Sequence, residues 1–271
     1  MKSMTHLVAH RPGAELEEHP PLVEMWLDVK SAWPWFAAPA DGGPLTPEYH
    51  RPDDVLAAWE ERLGPTWRSS HSPGREPYPA WSASDRVWHS LRGDQFLVLT
   101  PQSLRFVWNG RDGERYPHYE TIRDGLVCAI DAWQDVWESL KRPISWSGWC
   151  VQYVNALPQG TVWQQLGNLK AVTLLGELPA GMPTLCDVQA RWHFRPEPPI
   201  DSFTIELTHQ SAGEVVETAA CLWLALRADG VADGDLAAVL EGLDAGRQVI
   251  VSSFKIITSK GAHHYWGLSA P

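Results

Sequence analysis

Seven side chains in the sequence have the chemistry to bind a small ligand or to take part in catalysis. Histidine, tyrosine, glutamate and asparagine donate, accept or transfer protons, which are the tasks of a polar pocket. If they serve one pocket between a sheet and its helices, the fold must bring several of them within hydrogen-bonding reach of each other. The seven candidates are His118, Tyr119, Glu120, Tyr153, Asn155, His193 and His264.

No recognisable catalytic, nucleotide-binding or metal-binding motif accompanies these residues. The segment from Gly110 to Gly113 has the composition of a hairpin turn rather than of a phosphate loop, and the sequence has no G-x-S-x-G elbow. His263 and His264 are adjacent, so their side chains point apart and do not share an ion as the histidines of HExxH do. We therefore expect no metal and no cofactor. The sequence leaves catalysis open but favours a non-enzymatic role.

Tryptophans in proline-rich segments indicate a different function, the recognition of a protein partner. The chain has 271 residues, of which 16 are Trp, and its stretches 30–52 and 64–84 read as Pro-rich loops. An indole ring combines a large apolar body with one polar N–H, which suits an interface. In the alternative interpretation each loop folds back and its Trp covers the sheet. The four interface candidates are Trp33, Trp35, Trp67 and Trp81.

The charge of the chain restricts the kind of partner. Its 22 Lys and Arg stand against 33 Asp and Glu, which gives a net charge of −11. Binding to nucleic acid needs clustered cations, so this balance disfavours a nucleic-acid partner and favours a basic protein. The apolar runs are too short to cross a bilayer, and no signal-peptide core follows Lys2. We expect a cytoplasmic protein that does not associate with a membrane.

Cysteine spacing excludes the common zinc and thioredoxin-type sites. The four cysteines lie far apart, and no pair has the C-x-x-C spacing of those sites. Their neighbours are mostly apolar, which predicts reduced thiols buried in the core. They are Cys128, Cys150, Cys186 and Cys221.

Hydrophobic periodicity predicts the elements that must position these residues in the N-terminal half, residues 1–157. Alternation of apolar and polar residues indicates strands, and apolar residues at three- and four-residue steps indicate amphipathic helices. The predicted elements are a strand at 22–29, a helix at 53–63, three short strands within 86–108, a long helix from Tyr119 to Leu140 and a strand at 146–157.

The C-terminal half has the pattern βββα. Residues 158–184 are rich in Pro and Gly and read as a linker, and residues 185–271 contain three strands followed by a long helix capped by Asp235. Gly242 and Gly246 lie inside that helix and allow its close contact with a sheet. The order of elements predicts an α+β fold with two antiparallel meander sheets, each followed by a long amphipathic helix, packed as one compact unit. The repeated order is compatible with a weak internal duplication.

Four segments, taken together and in order, resemble a sporadically distributed bacterial family of uncharacterised proteins of similar length. The family pattern has a strand–turn–strand ending in Trp, a Tyr-Pro-x-Tyr-Glu helix start, a Tyr-Val-Asn strand and a closing Thr-Ser…His-x-x-Trp-Gly. The matching segments are residues 93–108, Tyr116–Glu120, Tyr153–Asn155, and Phe254–Ser259 with His264–Gly267. The resemblance runs from about residue 86 to the end and implies no activity, cofactor or catalytic residue.

Two functions are compatible with this sequence. The first is a non-enzymatic interaction protein that binds a partner through an acidic surface and the Trp-rich loops. The patchy distribution of the similar family is typical of accessory defence, antitoxin or immunity genes, and it favours this function. The alternative is a small-ligand-binding protein or an enzyme that uses the seven pocket candidates.

Overall fold

The computed structural model describes residues 21–31, 52–70, 85–110, 116–141, 144–174, 183–212 and 219–268. This part of the chain contains nine strands and four helices. The strands are β1 (Leu22–Ser31), β2 (Trp67–Ser70), β3 (Arg86–Ser90), β4 (Gln95–Leu99), β5 (Ser103–Asn109), β6 (Trp146–Pro158), β7 (Gln189–Phe194), β8 (Ser202–Gln210) and β9 (Cys221–Gly234). The helices are α1 (Pro52–Leu63), α2 (Tyr119–Ser139), α3 (Leu236–Ile257) and α4 (Lys260–Tyr265).

All nine strands belong to one antiparallel sheet with the order β2-β3-β4-β5-β1-β6-β9-β8-β7. The prediction of two separate meander sheets is therefore wrong. β1 pairs with β5 along one edge and with β6 along the other, and β6 also pairs with β9, which joins the strands of both halves. This pairing satisfies backbone N–H and C=O groups that two separate sheets would leave open at their edges.

The three long helices cover a single face of this sheet. Phe106, Leu27 and Val151 are successive partners across β5, β1 and β6, so their side chains share one face. α2 packs on β5 and β1, α3 packs on β9 and β6, and α1 packs beside α2. One hydrophobic cluster fills the layer between the sheet and the helices. A smaller cluster of Phe96, Val98 and Val107 lies on the opposite face.

Glycines bring the helices close to aromatic rings of the sheet. A Cβ atom at Gly125 of α2 would lie 2.7 Å from the ring of Phe106, and one at Gly246 of α3 would lie 2.6 Å from the indole of Trp149. A Cβ at Gly242 would meet the same indole at a still shorter distance. Gly242 and Gly246 therefore make the close helix–sheet contact that the sequence predicts for them.

Tryptophans form much of the apolar core. The ring of Trp59 on α1 contacts Trp88 and Trp133 edge to face, with centroids 4.7 and 5.0 Å apart, and Trp133 contacts Trp137 at 5.7 Å. Such pairs contribute about 0.5–1.5 kcal/mol beyond the burial of their area. Trp223 is only half-buried, and its Nε1 donates to Oε1 of Gln210 at 2.9 Å.

Only two of the four cysteines are buried. Cys150 and Cys221 lie in the core, whereas Cys128 on α2 and Cys186 are exposed, so the prediction of four buried thiols is wrong for the second pair. All four are free thiols. Burial raises the pKa of Cys150 to about 11 and that of Cys221 to about 12.

We expect the Gly242→Ala variant to lose about 2 kcal/mol or more of unfolding free energy, because the added methyl overpacks a buried indole. Urea denaturation measures the loss. The matched control is Gly261→Ala in α4, where the nearest atom to an added Cβ is Oγ of Ser259 at 3.8 Å. The control should be neutral or gain up to about 1 kcal/mol from helix propensity. Equal effects of the two substitutions would contradict the close packing of α3 on Trp149.

The thiols should fall into two classes of reactivity. The thiolate is the nucleophile that attacks a thiol reagent, so a raised pKa and burial both slow the reaction. At pH 8 in native conditions, Ellman's reagent should modify Cys128 and Cys186 rapidly, while Cys150 and Cys221 should react only after unfolding in urea. The Cys128→Ser substitution should lower the number of rapidly reacting thiols per chain by one. Four thiols reacting at one rate would show that this division is wrong.

Candidate functional site

Four of the seven pocket candidates come together where α2 begins. His118 is the N-cap residue of α2, with a φ of 70°, and Tyr119 and Glu120 form its first turn. Tyr153 lies on β6 and faces the helices, since its neighbour across the sheet is the core residue Met25. We call the groove between α2 and α3, above the β1–β6 pair, the cleft, and these four residues lie at its end where α2 begins.

Tyr116, which precedes α2, completes the floor of this cleft. Its hydroxyl lies 3.3 Å from the hydroxyl of Tyr153 and also donates to Sδ of Met25 at 3.3 Å. Its ring packs edge to face on Trp108, with centroids 5.2 Å apart. The sequence motif Tyr116-Pro117 thus does more than set the start of the helix, because its tyrosine reaches the sheet.

Long side chains link α2 to α3 across the cleft. The Tyr119 hydroxyl donates to Oδ1 of Asp244 at 2.7 Å, and Arg123 forms an ion pair with the same carboxylate, its Nε 2.9 Å from Oδ1. The guanidinium of Arg247 lies over the ring of Tyr119, 5.4 Å from its centroid. Its positive charge also acts electrostatically on the hydroxyls of Tyr116 and Tyr153. We call Tyr116, Tyr119, Tyr153, Asp244 and Arg247 the tyrosine–arginine cluster.

The three tyrosines of this cluster are hydrogen-bond donors and not bases. Burial raises the pKa of Tyr116, Tyr119 and Tyr153 above the ordinary value for tyrosine. The hydrogen bond to Asp244 raises the pKa of Tyr119 further. All three hydroxyls therefore keep their protons at neutral pH, so the cluster can bind acceptor groups.

The other three pocket candidates lie elsewhere. Asn155 donates its Nδ2 to the carbonyl of Leu224 at 3.1 Å and so ties β6 to β9. His193, on the edge strand β7, shares a row with Gln152, the neighbour of Tyr153, so it lies on the opposite face of the sheet from Tyr153. His264 is exposed on α4. These three residues are therefore not part of the group at the start of α2.

Of the four tryptophans predicted at an interface, only Trp67 belongs to the described residues. It lies on β2, inside a segment predicted as a loop, and its ring packs edge to face on Phe106 with centroids 5.8 Å apart. It is half-buried against the main core, which agrees with the alternative interpretation of a tryptophan that covers the sheet. Trp33, Trp35 and Trp81 lie outside the described residues.

A row of exposed carboxylates, which is not among the sites predicted from the sequence, lies on the solvent side of α2. Five exposed carboxylates are spaced four, seven, four and three residues apart. Each residue of a helix turns by about 100° and rises 1.5 Å, so the five lie within about 60° of the helix circumference along about 27 Å. The spacing was visible in the sequence. We call these residues the acidic stripe: Glu120, Asp124, Asp131, Asp135 and Glu138.

Among the described residues, no counter-charge neutralises the acidic stripe. Arg123 is the one basic residue within α2, and it is paired with Asp244. Within the described ranges, no ion pair involves any of the five carboxylates. The adjacent helix α1 adds four exposed acidic side chains, at Asp53, Asp54, Glu60 and Glu61.

The described residues contain no group of three His, Cys, Asp or Glu side chains that could hold a metal ion. None of the helices in the same ranges is long and apolar enough to cross a membrane.

The sequence matches no protein-family model and no curated protein. The resemblance to the uncharacterised bacterial family therefore stays a prediction.

Removing the hydroxyl that joins the helices should weaken the fold. A hydrogen bond to a charged acceptor contributes about 1.5–3 kcal/mol, so we expect Tyr119→Phe to lower the free energy of unfolding by about 1–2 kcal/mol. Urea denaturation measures the change. Tyr265→Phe is the matched control, because Tyr265 is exposed on α4. If both variants keep wild-type stability, the link between α2 and α3 is energetically unimportant.

Proposed function

We propose that this protein is a non-enzymatic interaction protein that binds a basic protein partner through the acidic stripe. The observation that carries the proposal is the alignment of five exposed carboxylates on one side of α2, for which the described part of the chain supplies no counter-charge. A cationic surface that contacts the helix over its length would neutralise them together. Such charge complementarity contributes to both the specificity and the rate of association.

The stripe is unfavourable for the isolated helix. Glu120 and Asp124, like Asp131 and Asp135, are like charges four residues apart, and each such pair destabilises a helix by about 0.2–0.5 kcal/mol. Asp135 and Glu138 also lie near the C-terminus of α2, where the helix dipole disfavours negative charge. No basic residue occupies the last turn to offset this cost. Binding a cationic partner removes the repulsion, so a role in recognition accounts for an arrangement that helix stability does not.

The helical layer is asymmetric in charge, which directs the partner to the N-terminal half. α1 and α2 together expose nine carboxylates, four and five respectively. On α3 the exposed side chains are mainly neutral, with Glu241, Asp244 and Lys255 as the charged ones. A basic partner therefore meets its strongest attraction over α1 and α2. In the cytoplasm, a role as an accessory defence, antitoxin or immunity component would supply such a partner.

The test is a variant that neutralises three carboxylates of the stripe, Asp131→Asn, Asp135→Asn and Glu138→Gln. Partners are first captured from the native host with the tagged wild-type protein, identified by mass spectrometry and purified, and their affinities are then measured by calorimetry. Exposed ion pairs contribute about 0.5 kcal/mol each, so three losses should weaken binding by about tenfold. The salt dependence of the dissociation constant should become shallower.

The same variant should be more stable than the wild type, since repulsion within α2 is relieved. The control variant, with the same change in net charge, is Glu197→Gln, Asp233→Asn and Glu241→Gln, whose acidic side chains are exposed outside α1 and α2. It should keep the affinity within about twofold, because screening weakens the effect of distant charges. A partner bound equally well by both variants would refute the proposed role of the stripe.

A further inference from the structure

The tyrosine–arginine cluster holds more hydrogen-bond donors than acceptors. Arg247 has five N–H groups, and Tyr116 and Tyr153 each have one O–H. The acceptors beside them are the two tyrosine oxygens and Sδ of Met25, a thioether that accepts only weakly. Asp244 lies on the same helix but accepts from Tyr119 and pairs with Arg123. The floor of the cleft therefore lacks a strong acceptor.

Arg247 is the cation of the cleft without a carboxylate partner. Among the described residues, no acidic group lies within ion-pair distance of its guanidinium. Its Nε is buried and has no hydrogen-bond partner there, although the side chain as a whole is partly exposed. A buried N–H without an acceptor costs about 1–3 kcal/mol, more when the group is charged. A ligand oxygen at this edge of the guanidinium would remove that cost.

We propose that the cleft between α2 and α3 binds the carboxylate of a small planar organic acid, held by Arg247 with the hydroxyls of Tyr116 and Tyr153. The guanidinium presents a flat fork of N–H groups, which matches the two oxygens of a carboxylate. The rings of Tyr116 and Tyr119, with Trp108 behind Tyr116, give the cleft aromatic walls for an apolar body. The groups that would hold the ligand are not part of the acidic stripe, and the site includes only two of the seven residues predicted for a pocket, Tyr119 and Tyr153.

Charge and burial define the size and charge of the ligand. Tyr153 lies in the sheet, with only 8% of its surface exposed, so a group must enter the cleft to reach it. That requirement favours a small molecule over a side chain on a flat protein surface. Glu120 lies near enough to act electrostatically on Tyr116 and Tyr153. Its negative charge disfavours a phosphate dianion and leaves the monoanionic carboxylate as the fitting group.

Benzoate is the probe that tests this site in the full chain. Calorimetry and tryptophan fluorescence should show saturable binding of sodium benzoate. Benzamide, which has the same shape without the charge, and inorganic phosphate should bind at least about tenfold more weakly, as expected for the loss of a charged hydrogen-bonded pair. Absence of saturable benzoate binding, or equal binding of benzamide, would overturn the proposal. Tighter binding of phosphate would overturn the assignment to a carboxylate.

Substitutions in the tyrosine–arginine cluster test whether benzoate binds there. Arg247→Gln should weaken benzoate binding by about tenfold or more, and Tyr153→Phe by a smaller factor of about three to ten. Arg227→Gln, which removes an exposed arginine on the opposite face of the sheet, should leave the affinity unchanged. If Arg247→Gln fails to fold, Arg247→Lys with Tyr153→Phe gives the same comparison, since lysine keeps the charge but not the fork. Undiminished binding by these variants would show that benzoate binds elsewhere.

Discussion

The antiparallel pairing of β1 with β6 is the interaction on which the rest of the structure depends. It runs from Leu22 to Ser31 and joins the five strands β1 to β5 to the four strands β6 to β9 in one sheet. Without it, β1 and β6 would both be edge strands with unpaired backbone groups. The pairing also sets Met25 beside Tyr153 and places α2 and α3 side by side on one face. The cleft between the helices, with its tyrosine–arginine cluster, is therefore a product of this one strand pair.

The two surfaces of the helical layer differ in the physics that governs them. The acidic stripe is fully exposed, so water and salt screen its charges, and it acts mainly by attracting and orienting a partner. The hydroxyls of the tyrosine–arginine cluster are largely buried, and a hydrogen bond there is electrostatically stronger than one in water. High salt should thus weaken binding at the acidic stripe much more than binding at the tyrosine–arginine cluster. The Asp244 ion pair with Arg123 lies between them and keeps α2 and α3 in register.

Both proposals rest on groups that fold stability alone does not explain. Five aligned carboxylates repel one another along α2, and the buried Nε–H of Arg247 has no acceptor within the described part of the chain. By contrast, several residues that the sequence singled out are accounted for by structure. Asn155 ties β6 to β9, Trp67 packs on Phe106, and Ser259 caps α4 through the N–H of Ala262. The residue types did not separate these two kinds of residue; the contacts in the structure did.

The sequence by itself determined most helices and strands, because their hydrophobic periods are local. α2 lies where apolar steps from Tyr119 predict it, and the spacing of the acidic stripe was present in the same helix. β2 was missed because its four residues carry no clear alternation. The tertiary structure alone decided that the strands form one sheet and that Tyr119 meets Asp244, which lies 125 residues further along the chain. Periodicity shows which side of an element is buried, but an apolar face can pack against many different apolar faces. The choice among them depends on backbone pairing and on packing between distant segments, which no local pattern records.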